Sequence, residues 1–79
     1  MKLWILRPID DRARPWNPWY DKAFGHIVIA ADEDEARLLA SGSSGDEGRD
    51  AWLDSALTNC LELVPMNSAG VVMTDFHAA

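Results

Sequence analysis

A run of β-branched residues that ends on a helix-capping signal constrains this chain more than any other feature. Residues 24–31 read Phe-Gly-His-Ile-Val-Ile-Ala-Ala, and the next four are Asp32, Glu33, Asp34 and Glu35. β-Branched side chains pack well on a pleated surface and lose rotamer freedom in a helix, so the run predicts a strand. Alternation places Phe24, His26, Val28 and Ala30 on one face and Ile27 and Ile29 on the other, leaving both faces largely apolar. Asp32 then stands at an N-cap position with Glu35 three residues on, the spacing of a capping box. The carboxylates also meet the positive end of the helix dipole. Ala36, Leu39 and Ala40 fall three or four apart and form the expected buried stripe, and Gly42 ends the helix.

The other segments are arranged around this strand and helix. Residues 2–7 form an apolar run closed by Pro8, which suits a strand that is central or covered on both faces. Residues 9–22 hold Pro15 and Pro18 and no sustained period, so they predict a long ordered loop. The glycine-, serine- and acid-rich residues 41–49 are too short for an interdomain linker, and one domain over 1–79 is expected. Residues 50–57 suggest an irregular segment or a single helical turn, with Trp52 and either Leu53 or Leu57 turned inward. Residues 58–64 alternate imperfectly up to Pro65, and 66–70 read as a turn before 71–76, which predicts a hairpin. The expected order is β-β-α-β-β, an α+β fold with an antiparallel sheet of about four strands and one α-helix packed on one face.

Size and charge narrow the functional classes. A chain of 79 residues buries only about 60 to 65% of the surface its unfolded form exposes, so its core is thin. One small core without disulfides or metals supplies roughly 3 to 5 kcal/mol, and a homodimer would be a useful supplement. Seven Lys and Arg against 13 Asp and Glu give a net charge of -6. That balance repels DNA and anionic lipid, so neither direct nucleic-acid binding nor membrane binding is expected, whereas basic protein surfaces attract it. Cys60 is the only cysteine, which rules out an intrachain disulfide and fits a reducing compartment, the cytoplasm. The opening apolar run breaks at Arg7-Pro8, too short for a signal-peptide core or a membrane span.

No catalytic, cofactor or metal site is legible. Cys60 could pair with His26 or His77, but the three carry no motif, and cysteine is among the most buried residue types. The acidic run at 32–35 spreads around a helix start, where capping accounts for it, and Asp46-Glu47-Gly48 lacks calcium-loop spacing. The chain contains no GxGxxG, phosphate-binding loop or CxxC. A non-enzymatic role at the surface is therefore expected.

Two features point to such a role. Arg14-Pro15-Trp16-Asn17-Pro18-Trp19-Tyr20 gathers two tryptophans and the only tyrosine in one proline-stiffened loop, and these residue types dominate binding hot spots. Folded back, Trp16 and Trp19 would cap a sheet face; left exposed, they would be anchors, and Trp16 is the one expected to remain accessible. Asp32, Glu33, Asp34, Asp46, Glu47, Asp50 and Asp54 lie within 23 residues, either as a solvated face or as one negative docking surface.

The segments Met1-Lys2-Leu3-Trp4-Ile5-Leu6-Arg7-Pro8, Pro18-Trp19-Tyr20-Asp21-Lys22-Ala23-Phe24-Gly25, residues 33–40, Gly45-Asp46-Glu47-Gly48 and Trp52-Leu53-Asp54 resemble a family of small phage and mobile-element proteins of bacteria. In size, acidity and lack of catalytic residues the chain is similar to the anti-CRISPR proteins, in particular to inhibitors of a type I-C surveillance complex (Cascade). The resemblance implies a DNA-mimicking inhibitor in the bacterial host cytoplasm. It would bind a Cascade subunit on a basic nucleic-acid-binding surface and block target recognition, with no cofactor. Partner contacts are expected from Asp32, Glu33, Asp34, Asp46, Glu47 and Asp50, with Trp16 or Trp19 as anchor. The alternative is a structural or assembly protein of a mobile element that self-associates through an apolar sheet face.

Overall fold

The computed structural model describes residues 1–65 and 68–71. The chain runs β1 (Lys2–Pro8), β2 (His26–Ala30), α1 (Glu33–Ser41), α2 (Arg49–Leu53) and β3 (Thr58–Glu62). The α+β class stands, with a three-stranded antiparallel sheet in the order β2-β1-β3 and two helices among the described residues. The strand expected at 71–76 lies almost wholly outside those residues, and Val71, the one that is described, has no regular structure. The helical turn expected near 50–57 is α2, packed beside α1.

β1 is central. It pairs with β2 through Leu3 with Ile29 and Ile5 with Ile27, and with β3 through Ile5 with Leu61 and Leu6 with Cys60. Both neighbours are antiparallel to β1, so they run parallel to each other on either side of it. A parallel return of this kind needs a crossover long enough to span the sheet, and α1 and α2 provide it. They cross the face that carries Trp4, Leu6, Val28, Ala30 and Cys60.

The core is small and built from unequal parts. Leu6, Trp16, Ala30, Ala36, Ala40, Ala51, Trp52 and Cys60 are buried, with Trp4, Ala23, Phe24, Val28 and Leu57 packed at their edge. Alanines let the helices approach closely, and two indoles fill the space, Trp16 meeting Trp52 edge to face at 5.7 Å. Each of the four indole N–H groups finds an acceptor. Trp4 donates to Ala30 O at 3.1 Å, Trp16 to Ala23 O at 2.8 Å, Trp19 to Asp11 O at 2.8 Å and Trp52 to the Glu47 carboxylate. Satisfying them matters because a buried donor without a partner costs about 1 to 3 kcal/mol.

The N-cap bond of the predicted capping box forms, while the return bond from Glu35 reaches one residue further back, to Ala31. Asp32 Oδ1 accepts from Glu35 N–H at 2.9 Å, and Glu35 Oε1 accepts from Ala31 N–H at 2.8 Å. Gly42 ends α1. The buried stripe differs from the expectation: Ala36 and Ala40 are inside, but Leu39 is exposed and Arg37 and Ser41 take its place. Leu53 is likewise exposed, while Leu57 is half-buried.

Candidate protein-binding surface

The helical layer and its connecting loop hold most of the acidity. Asp32, Glu33, Asp34, Glu35, Asp46, Asp50 and Asp54 are all exposed. Between residues 31 and 57 the cations are Arg37, which is buried, and Arg49, which is exposed. Several of these carboxylates also have local work. Asp32 caps α1, Glu35 accepts from Ala31 N–H, Glu33 Oε2 pairs with Arg37 Nε at 2.9 Å, and Asp54 Oδ1 accepts from Ala56 N–H at 2.8 Å. The side chains of Asp34, Asp46 and Asp50 face solvent.

Glu47 corrects the expected acidic set. Its side chain is only 6% exposed, so in this fold it does not face a partner. Oε1 accepts from Ala23 N–H at 2.9 Å and from Gly45 N–H at 3.0 Å, while Oε2 accepts from Gly45 N–H at 3.0 Å and from the Trp52 indole. Burial alone would raise this carboxyl's pKa; the bonds from Trp52, Ala23, its own backbone and Gly45 outweigh burial and leave it lowered. The carboxylate thus ties the 42–48 loop to the segment before β2 and to α2. Gly45 fits there because a Cβ would collide with the carbonyl oxygen of Asp21.

His26 lies at the same centre. Its ring stands edge to face against Trp52 at 4.5 Å, and its buried Nε2 has no hydrogen-bond partner. Burial lowers its pKa, with a smaller opposing pull from Glu47.

A second buried polar centre joins three elements. Arg37 donates from Nη1 to Trp52 O at 3.0 Å and to Thr58 Oγ1 at 2.8 Å, and from Nη2 to Thr58 O at 3.0 Å. The Thr58 hydroxyl has Ala51 O at 3.0 Å and Asp54 O at 3.1 Å as acceptors for its own proton. The guanidinium therefore holds α1, α2 and β3 in register. Near it, burial raises the Cys60 thiol's pKa, Arg37 lowers it and Glu33 raises it, with a net rise. A buried thiol with a raised pKa stays protonated at neutral pH and is a poor nucleophile.

The aromatic loop divides in the opposite sense to the expectation. Trp16, expected to be the accessible one, is 1% exposed and part of the core. Trp19 is 52% exposed, resting its edge on Phe24 at 5.6 Å, and Tyr20 beside it is exposed as well. The hydrogen bond to Asp11 O and the contact with Phe24 hold Trp19 in place while half its surface stays open.

Neither Arg37 nor Glu47 was legible as a structural centre. The spacing of Glu33 and Arg37 signals a helical ion pair, but nothing in the sequence marks acceptors 15 and 21 residues away. Among the described residues, no group of three or more His, Cys, Asp and Glu side chains could hold a metal ion, and no helix is long and apolar enough to cross a membrane. No protein-family model matches the chain, and no curated protein or solved structure matches it either.

Proposed function

We propose that this chain is a non-enzymatic inhibitor that docks its acidic helical side on a basic nucleic-acid-binding surface of a type I CRISPR–Cas surveillance complex, in the manner of an anti-CRISPR protein. The supporting observation is the exposed set Asp32, Glu33, Asp34, Asp46 and Asp50 on the helical layer and its loop, in a stretch where Arg49 is the one exposed cation. Channels that track a guide–target duplex read its phosphate backbone with Lys and Arg, and an array of carboxylates competes for them. Trp19 and Tyr20 supply the apolar contact that slows dissociation. Glu47 and Trp16 act indirectly, by holding the loop and the aromatic segment in place. The setting is the cytoplasm of a bacterial host, and the partner is a Cascade subunit.

The test reverses exposed carboxylates outside the side-chain hydrogen bonds and ion pair described above. Asp34→Lys, Asp46→Lys and Asp50→Lys together should leave the circular dichroism spectrum intact. They should also abolish capture of a type I-C surveillance complex and restore its binding to target DNA. Undiminished capture by the triple variant would discard the electrostatic mechanism. Failure of the unaltered protein to bind any type I complex would discard the inhibitor reading.

A further inference from the structure

Among the described residues, no helix or strand covers the sheet face opposite the helices. Leu3 and Ile5 of β1, Ile27 and Ile29 of β2 and Leu61 of β3 all point to it, and the register sets Leu3 beside Ile29 and Ile5 between Ile27 and Leu61. Leu3 is 40% exposed, Ile27 61%, Ile29 65% and Leu61 62%. Arg7 and Asn59 lie together at one end of this face and are its polar residues on the strands. The period-two pattern that turns Trp4, Leu6 and Ala30 inward thus places an aliphatic row on the side where the described residues form no second layer.

We infer that this face is the contact between two copies of the chain, which pack sheet against sheet as an α/β/β/α sandwich. Charge selects the occupant. Each copy carries a net charge of -6, so two copies repel in most orientations. Apposing the largely aliphatic sheet faces, which carry no acidic residue on the strands, sends both acidic helical layers to the outside, the arrangement with the least repulsion between them. Face-to-face sheets pack about 10 Å apart with strand directions within about 30° of each other, and interleaved Ile and Leu side chains meet that geometry. Area agrees with a dissociable contact. The four exposed side chains present on the order of 400 Å² of apolar surface, within the roughly 300 to 600 Å² of a monomer's largest and often functional patch. That is about half of the roughly 800 Å² per partner of a standard interface, the size of a weak and reversible dimer. The inference goes beyond the inhibitor reading and does not depend on it, since the acidic layers stay exposed in the dimer.

Sedimentation equilibrium of the full chain from about 5 to about 500 µM tests it, a range that brackets the weak affinities expected of an interface this small. The expected result is a monomer–dimer equilibrium. Ile29→Glu and, separately on the other edge strand, Leu61→Lys should each raise the dissociation constant at least about 100-fold, because each buries an unpaired charge. Both positions face away from the core, and circular dichroism checks that each variant remains folded. A monomer throughout the range would overturn the inference. So would a dimer that survives both substitutions, or protection of Ile29 and Leu61 by the chain's own residues 72–79 in the monomer.

Discussion

Replacing Glu47 by Gln changes one atom and removes the acceptor that three segments share. In the native protein both carboxylate oxygens accept, from Ala23, Gly45 and Trp52. The Gln side chain must point its amide nitrogen at one of two donor sets. If the nitrogen replaces Oε2 it opposes the Trp52 indole; if it replaces Oε1 it opposes Ala23 N–H. Either way one charge-assisted bond, worth about 1.5 to 3 kcal/mol, is lost, and a buried donor is left without an acceptor. Relief of the charge's burial offsets part of this, and the net loss is about 2 to 3 kcal/mol. For a domain this size that corresponds to roughly 10 to 20 °C in Tm. Thermal and urea unfolding followed by tryptophan fluorescence at pH 7 measures it, with Asp46→Asn as a control expected to stay within about 0.5 kcal/mol. The pH profile adds a signed check. Glu47 is more acidic folded than unfolded, so its contribution is complete above roughly pH 4.3 and disappears as pH falls through the lowered native value. His26 is also lowered, so its contribution is complete above roughly pH 6.5 and declines below it. Glu47 opposes the lowering of His26, and the Gln variant should therefore lose stability more steeply between about pH 6.5 and 5. A Gln variant as stable as Asp46→Asn, with an unchanged pH slope, would refute the assignment of Glu47 as a structural anchor.

Two further outcomes follow from the same packing. Arg37→Ala strands the Thr58 and Trp52 carbonyls and leaves a void, for a loss of about 3 to 5 kcal/mol, whereas Arg37→Lys keeps the charge without the fork and should lose about half as much; chemical denaturation distinguishes them, and an Ala variant within about 1 kcal/mol of the native protein contradicts the role. Gly45→Ala should lose about 1 to 3 kcal/mol because its Cβ collides with the Asp21 carbonyl and crowds Glu47 Oε1. Gly70→Ala, whose Cβ meets nothing, should be neutral in the same melt.

Signals carried by neighbours in the chain determined much of this protein. Period-two alternation separated Val28 and Ala30 from Ile27 and Ile29, and the capping box placed the start of α1 at Asp32, because both are set by backbone geometry within a few residues. The prolines likewise marked the 9–22 loop. Tertiary structure decided the rest. Leu39 and Arg37 are both compatible with a buried stripe beside Ala36 and Ala40, and the choice went to Arg37 because Thr58 and Trp52 bring acceptors that a distant part of the chain supplies. Asp46 and Glu47 are alike in sequence, yet one faces water and the other takes the N–H groups of Ala23 and Gly45 and the indole of Trp52. Trp16 is buried because it packs edge to face on Trp52 and donates to Ala23 O, whereas Trp19 rests on the half-buried Phe24 and stays half-open. The apolar pattern of all three strands was readable, but that the helices cover only one face follows from the crossover between β2 and β3, which occupies a single side of the sheet.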